Sequence, residues 1–167
     1  MPEAVPEPWL RGPLPGAHPL VQPIFFSFAQ VREDLAKYVA GLSSEQVWRK
    51  RAGASLGFHL KHLAASADRL TTYLTGHQLS DVQLRALREE HNGDEDAGSL
   101  LKLVDEALSA SEQRLRTLEP QQIYDPRTVG RRKLPTTTIG LLVHVAEHTQ
   151  RHLGQAITLA KLLRDEV

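Results

Sequence analysis

The sequence predicts an all-α domain, a four-helix bundle. Three observations carry that expectation. Four long segments repeat apolar residues at intervals of three and four, no stretch of useful length alternates apolar with polar residues, and no unit of about 20–50 residues recurs.

Residues 1–23, MPEAVPEPWLRGPLPGAHPLVQP, hold seven of the ten prolines. Proline fixes φ and removes an amide donor, so this stretch reads as an irregular, proline-rich arm, with Trp9 and Leu10 placed to pin it to the body. The bundle domain is expected over 24–167. Its first helix runs from about Ile24 to Ala40: Phe25, Phe28, Val31, Leu35, Tyr38 and Val39 recur at helical spacing, and Gly41 supplies a stop. In LSSEQVWRKR, Ser43 with Gln46 three residues on has the pattern of a capping box opening a short helical turn.

The second long helix follows Gly53 and runs to about Leu74, closed by Gly76, with Leu56, Leu60, Leu63, Ala67, Leu70 and Leu74 as its stripe. A lesser helical piece, DVQLRALREE, ends at the polar loop HNGDEDAGS. The third long helix spans about Ser99 to Leu118, its apolar face set by Leu101, Val104, Leu108, Leu115 and Leu118. The connector PQQIYDPRTVGRRKLP leads to a fourth helix that starts in Thr136–Thr138 and runs to about Arg164. The long joints at 75–98 and 119–135 allow a crossover in place of simple up-down order.

The fourth helix poses a chemical question. Its stripe runs Leu141, Val145, His148, His152, Ala156, Leu159, Leu163, so two imidazoles stand where leucine and valine stand elsewhere. Four residues advance about 400°, leaving His148 and His152 about 40° apart and able to share one ion. His144 lies one step further round, as a ligand or a neighbour of one. A second pair, His59 and His62, sits in FHLKHLAASADRL on the second helix. One histidine from that pair and two from the fourth helix make a three-histidine site with open positions for water or substrate, the pattern of catalytic rather than structural metal centres. Periodicity alone favours His59, which lies nearer the apolar stripe than His62. A single histidine on an apolar face is ordinarily a packed core residue; two in register facing a second pair are harder to satisfy without an ion.

His144-Val-Ala-Glu147-His148 also matches H-x-x-E-H, the inverted zinc-protease pattern. It is read as coincidence, because that chemistry needs a distant acidic ligand in a larger domain. Glu147 is then a solvated or salt-bridged carboxylate. Asp68 and Arg69 read as surface pair members. Gly154 costs a helix interior about 1 kcal/mol against alanine, for which close approach of another helix is the expected reason. Gln155 reads as a hydrogen-bond partner for a ligand histidine or nearby backbone.

Composition narrows the function classes. Lys plus Arg and Asp plus Glu are both 20, so no global charge draws the chain to nucleic acid or a membrane. Arg127, Arg131, Arg132 and Lys133 form only a local basic cluster without interleaved aromatics, a solvated loop or a contact for an acidic cosubstrate at the site mouth. Cysteine is absent, which excludes thiolate ligands and a protein thiol nucleophile and fits a reducing compartment. The N-terminus lacks a secretory pattern and no apolar run reaches membrane-spanning length, so a cytoplasmic protein is expected.

Two segments, His62-Leu-Ala-Ala-Ser-Ala-Asp-Arg69 and His148-Thr-Gln-Arg-His152-Leu-Gly-Gln155, resemble the DinB/YfiT-like superfamily of bacterial helical-bundle proteins; the latter segment is similar to its H-x-x-x-H-x-G-Q ending. The resemblance covers about residues 20–163. It implies up-down-down-up order, a homodimer, and a divalent metal ion, zinc or nickel, held by His62, His148 and His152. His59 then becomes a packing or cleft-lining residue, and Arg69 a residue able to orient an anionic substrate.

On that resemblance the expected function is a metal-dependent enzyme in which the ion activates a thiol or water, of S-transferase or hydrolase type. The partner is a small-molecule substrate, and any thiol is a low-molecular-weight cosubstrate. No general base is singled out among Glu147, His144 and His59. The alternative is a non-catalytic metal-binding or stress-response dimerisation module, favoured if His59 or His144 closes the site as a fourth ligand.

Overall fold

The computed structural model describes residues 5–51 and 53–165. Its six helices are α1 (Gln22–Tyr38), α2 (Ser44–Trp48), α3 (Leu56–Leu74), α4 (Asp81–Glu89), α5 (Ala97–Arg116) and α6 (Thr138–Arg164), and two short strands, β1 (Pro126–Val129) and β2 (Leu134–Thr137), lie between α5 and α6. The long helices α1, α3, α5 and α6 form the bundle.

Contacts between matched positions give the directions. Ser27 meets the Ala146 carbonyl and Thr149, and Arg164 reaches the Tyr38 carbonyl, so α1 and α6 run the same way. His62 faces His148 and His59 faces His152, which makes α3 antiparallel to α6. Thr71 meets Ser111, while Trp48 just before α3 bonds the Glu95 carbonyl just before α5, so those two helices are parallel. The order is up-down-down-up.

The starts of the bundle helices after α1 are fixed by side chains that accept a backbone N–H, Ser55 from Phe58, Asp96 from Ser99 and Thr137 from Gly140. The expected capping box at Ser43 and Gln46 is present. The predicted stripes face inward: Phe28, Leu35, Leu60, Leu63, Leu108 and Leu163 are all buried. Trp48 is laid flat over the first turn of α3. A Cβ on Gly57 would come within 2.9 Å of its indole ring, so only glycine permits this approach. Through its bond to Glu95 the same indole ties the histidine-bearing half of α3 to the chain ahead of α5.

Several expectations are corrected. The connector after α5 holds an antiparallel hairpin, with Pro126 opposite Thr137 and Val129 opposite Leu134. Four-residue strands containing Pro126 and Pro135 carry no alternation to read, and proline is tolerated because both strands are edges. The turn is made by positive φ at Gly130 and Lys133. The fourth helix starts at Thr138, within the expected Thr136–Thr138 stretch, with Thr137 as its cap, while the third lies two residues earlier than expected, from Ala97 to Arg116. In the arm, Trp9 and Leu10 are 61% and 55% exposed; the anchors are buried Pro8 and a two-pronged Arg11–Glu33 pair at 2.6 and 2.8 Å. Among the described residues no helix is long and apolar enough to cross a membrane.

Candidate metal centre

Two antiparallel helices deliver four imidazoles to one place. His59 and His62 come from the first half of α3; His148 and His152 come from the middle of α6. His62 Nε2 lies 3.0 Å from His148 Nε2, and His59 Nδ1 lies 3.0 Å from His152 Nδ1. The rings of His62 and His148 are centred 4.4 and 4.7 Å from that of His152. His62, His148 and His152 each offer one ring nitrogen such that all three lie within 4.8 Å of one another.

That donor set fits a divalent ion. Nitrogens about 2.0–2.1 Å from a tetrahedral metal stand roughly 3.3 Å apart, close to the spacing of His62 and His148. Among the described residues the buried His148 Nδ1 has no hydrogen-bond partner, and the ring meets His62 through Nε2, the nitrogen that faces the cluster. Burial, with the His62 charge second, pushes the His148 pKa down to about 4. Burial followed by His62 and His148 pushes His152 down to about 3, and burial then His62 lowers His59. At pH 7 these three rings are neutral, the form that binds metals.

His62 has a partner that the sequence did not disclose. Its Nδ1 lies 2.7 Å from Glu90 Oε2, and Glu90 Oε1 accepts from Arg69 at 2.5 Å. Both Glu90 and Arg69 are buried. Burial alone would raise the Glu90 carboxyl, but the bonds from His62 and Arg69 outweigh it and hold the group below its ordinary value. Arg69 is thus an inward-facing residue, not a surface one. Asp68 pairs with Arg114 of α5 at 2.5 Å. Phe58 covers part of the cluster, stacked on His62 at 5.4 Å and on His91 at 4.1 Å. His91 sits in a polar loop outside every helical stripe, so nothing in the sequence pattern marks it as a neighbour of the site.

A second group meets the same distance criterion: His144, Glu147 and His148. It belongs to the surface. His144 Nδ1 is 2.8 Å from Glu147, and Glu147 takes two bonds from Arg151 at 2.6 and 2.9 Å. The H-x-x-E-H spelling therefore describes an exposed ion pair along one helix. Gly154 is exposed, and among the described residues nothing beyond its own helix lies within 4 Å of a Cβ placed there, so packing against another helix of this chain is not its explanation. Gln155 is exposed as well and touches none of the four histidines through a hydrogen bond. The basic cluster is split. Arg127 donates to the Leu74 carbonyl at 2.7 Å, while Arg131, Arg132 and Lys133 are exposed at the hairpin tip. Leu74 is twelve residues from His62 along α3, roughly 18 Å at the helical rise, so this loop does not line the cluster.

Fold and site together define a class: a helical bundle whose two central antiparallel helices present an imidazole cluster able to hold a metal ion. The chain belongs to the DinB superfamily, whose family model matches residues 27–156 and so spans every residue of the cluster and Glu90. No curated protein matches the chain.

Proposed function

We propose that this protein is a divalent-metal-dependent enzyme in which His62, His148 and His152 hold the ion, zinc or nickel. The observation that carries the reading is the convergence of three imidazoles from two helices within 4.8 Å, half-buried and with no carboxylate among them. Three protein ligands leave a position for water or substrate. Such an ion, when bound, lowers the pKa of a water or thiol ligand and supplies a nucleophile at neutral pH.

The protein's own groups do the positioning. Glu90 holds His62, His59 holds His152 through their Nδ1 atoms, and Phe58 stacks on the His62 ring. The chain has no cysteine, so a reacting thiol is a low-molecular-weight cosubstrate and the reaction is of S-transferase or hydrolase type. The absence of cysteine also accords with a cytoplasmic setting. The reading includes a homodimer, with exposed Val143 on α6 as one candidate contact.

One observation favours a second reading. His59 stands 3.0 Å from His152, and a fourth imidazole ligand would close the coordination sphere and leave a non-catalytic metal-binding or stress-response module. The experiment is elemental analysis of protein made without a histidine tag, beside His62→Ala and His148→Ala. About one zinc or nickel per chain, lost in both variants, supports the site. No metal after reconstitution sinks it. The cobalt-substituted protein then separates the readings: a visible spectrum that shifts on adding a small thiol means an open position, and an unresponsive one means a closed site.

A further inference from the structure

We propose that Glu90, held by Arg69, is a positioning residue that fixes the tautomer of His62 so that its Nε2 lone pair faces His148; the purpose of this arrangement rests on the reading of His62 as a metal ligand.

Donors and acceptors must match at each atom. An ionised carboxylate only accepts, and an arginine only donates. Glu90 spends Oε1 on Arg69 and Oε2 on His62 Nδ1, at 2.5 and 2.7 Å. With 3% of the residue exposed, water has little room to compete. His62 Nδ1 must therefore carry the proton. A neutral imidazole has one N–H, so Nε2 is left bare, pointing at His148 Nε2 3.0 Å away. Carboxylates placed behind metal-binding histidines in this way orient the rings and raise their basicity.

The surroundings show that Glu90 is not there to fill a core. Helix α4 itself contributes no buried residue. It is pinned at its start by Gln83, which donates to Asp68 and Thr72, and Glu90 anchors its other end. Between the two anchors lies an open pocket of ≈ 380 Å³, lined by alanines of α3, α4 and α5 and by charged Lys61, Asp68, Glu89, Glu90 and Glu95, not a packed apolar core. An apolar residue at position 90 would serve packing better than a buried charge pair, which contributes little net stability. Besides anchoring that end of α4, the pair supplies a fixed direction for one imidazole proton.

The test uses metal-free, ¹⁵N-labelled full-length protein at about pH 8, above the ordinary histidine range. Long-range proton–nitrogen correlations report the tautomer of each histidine. The expected result for His62 is the Nδ1–H form. Glu90→Gln then offers one acceptor and one donor. Arg69 claims the amide oxygen, the amide NH₂ meets His62 Nδ1, and the proton moves to Nε2. Inversion of the His62 tautomer is expected, with zinc affinity, read by competition against a chromophoric chelator, about 10–100-fold weaker. An Nε2–H form in the wild type overturns the proposal, and so does unchanged zinc binding in Glu90→Gln. If that variant fails to fold, the wild-type tautomer alone decides. A wild type with the expected tautomer that binds no zinc leaves Glu90 as the orienting group and removes the metal reading instead.

Discussion

Helix α6 carries two histidine clusters on neighbouring faces that share His148 and the same close spacing but differ in burial and in charge. The inner one joins His148 and His152 to His62 across the helix interface; the outer one joins His148 to His144 and Glu147 along the helix. Both bring three potential donors within 4.8 Å. In the outer cluster His144 and Glu147 are exposed, and Glu147 is already neutralised by two bonds from Arg151. A solvated ion pair has little to gain by taking up a cation. In the inner cluster the rings are half-buried, burial keeps His148 and His152 neutral, and His62 Nε2 and His148 Nε2 face each other at 3.0 Å. Spacing alone does not make a ligand set. Donors need to be uncharged, turned toward one another and free of better partners.

The pair of substitutions that separates the two faces has the largest expected effect. His152→Ala removes a donor from the inner cluster alone and should weaken zinc binding by more than about 100-fold, beyond the range for losing a residue that merely orients a ligand. His144→Ala removes a donor from the outer cluster alone and should leave affinity within about twofold, as expected for a solvated surface group. Competition with a chromophoric chelator reads both. The reverse ranking would move the site to the surface of α6.

Acid sharpens the same contrast more gently. His148 and His152 take up protons near 6.5 when unfolded but near 4 and 3 when folded. Between those limits the unfolded chain binds more protons, so folding is favoured most above about pH 6.5 and loses ground as pH falls toward 4. Thermal melts of the metal-free protein should show Tm declining from about pH 6.5 to about 5, a window above the lowered carboxyls of Glu33, Glu90 and Asp96. His152→Ala should flatten that decline and His144→Ala should leave it unchanged. A decline of equal slope in His152→Ala would show that the buried rings do not set the acid limb.

The two faces also differed in how far the sequence disclosed them. The helices were legible because leucines such as Leu60, Leu63 and Leu108 repeat at the helical period, and burial follows that period. The histidine pairs were legible as interruptions of the same pattern. Periodicity preferred His59 over His62, and each has its own place: His59 is the more buried and bonds His152, while His62, further round α3, meets His148. Glu90 was not legible. Its partners lie 21 and 28 residues earlier in the chain, and a glutamate ending an exposed helix looks solvated until tertiary structure buries it. The hairpin was hidden for a local reason, since strands as short as Pro126–Val129 leave no room for a period to show.

Gly154 offers the smallest and most pointed check on the outer face. It lies inside α6, exposed, with ordinary helical φ and open space where a Cβ would go. Among the described residues of one chain nothing there requires glycine. Alanine restricts the unfolded chain and favours the helix, so Gly154→Ala should stabilise the protein by about 0.5–1 kcal/mol in urea unfolding, with no change in the slope of the transition. A second copy packed against α6 would reverse the sign, because the added methyl would then meet a backbone absent from a single chain. Destabilisation together with a shift toward a smaller species on size exclusion would place a contact between two copies on this face, which also carries Val143. The distinction between the two clusters would then become one between two kinds of burial: the inner histidines covered by their own fold, the outer ones covered in part by a partner, where the Glu147–Arg151 pair would lose the solvent that makes it a poor metal site.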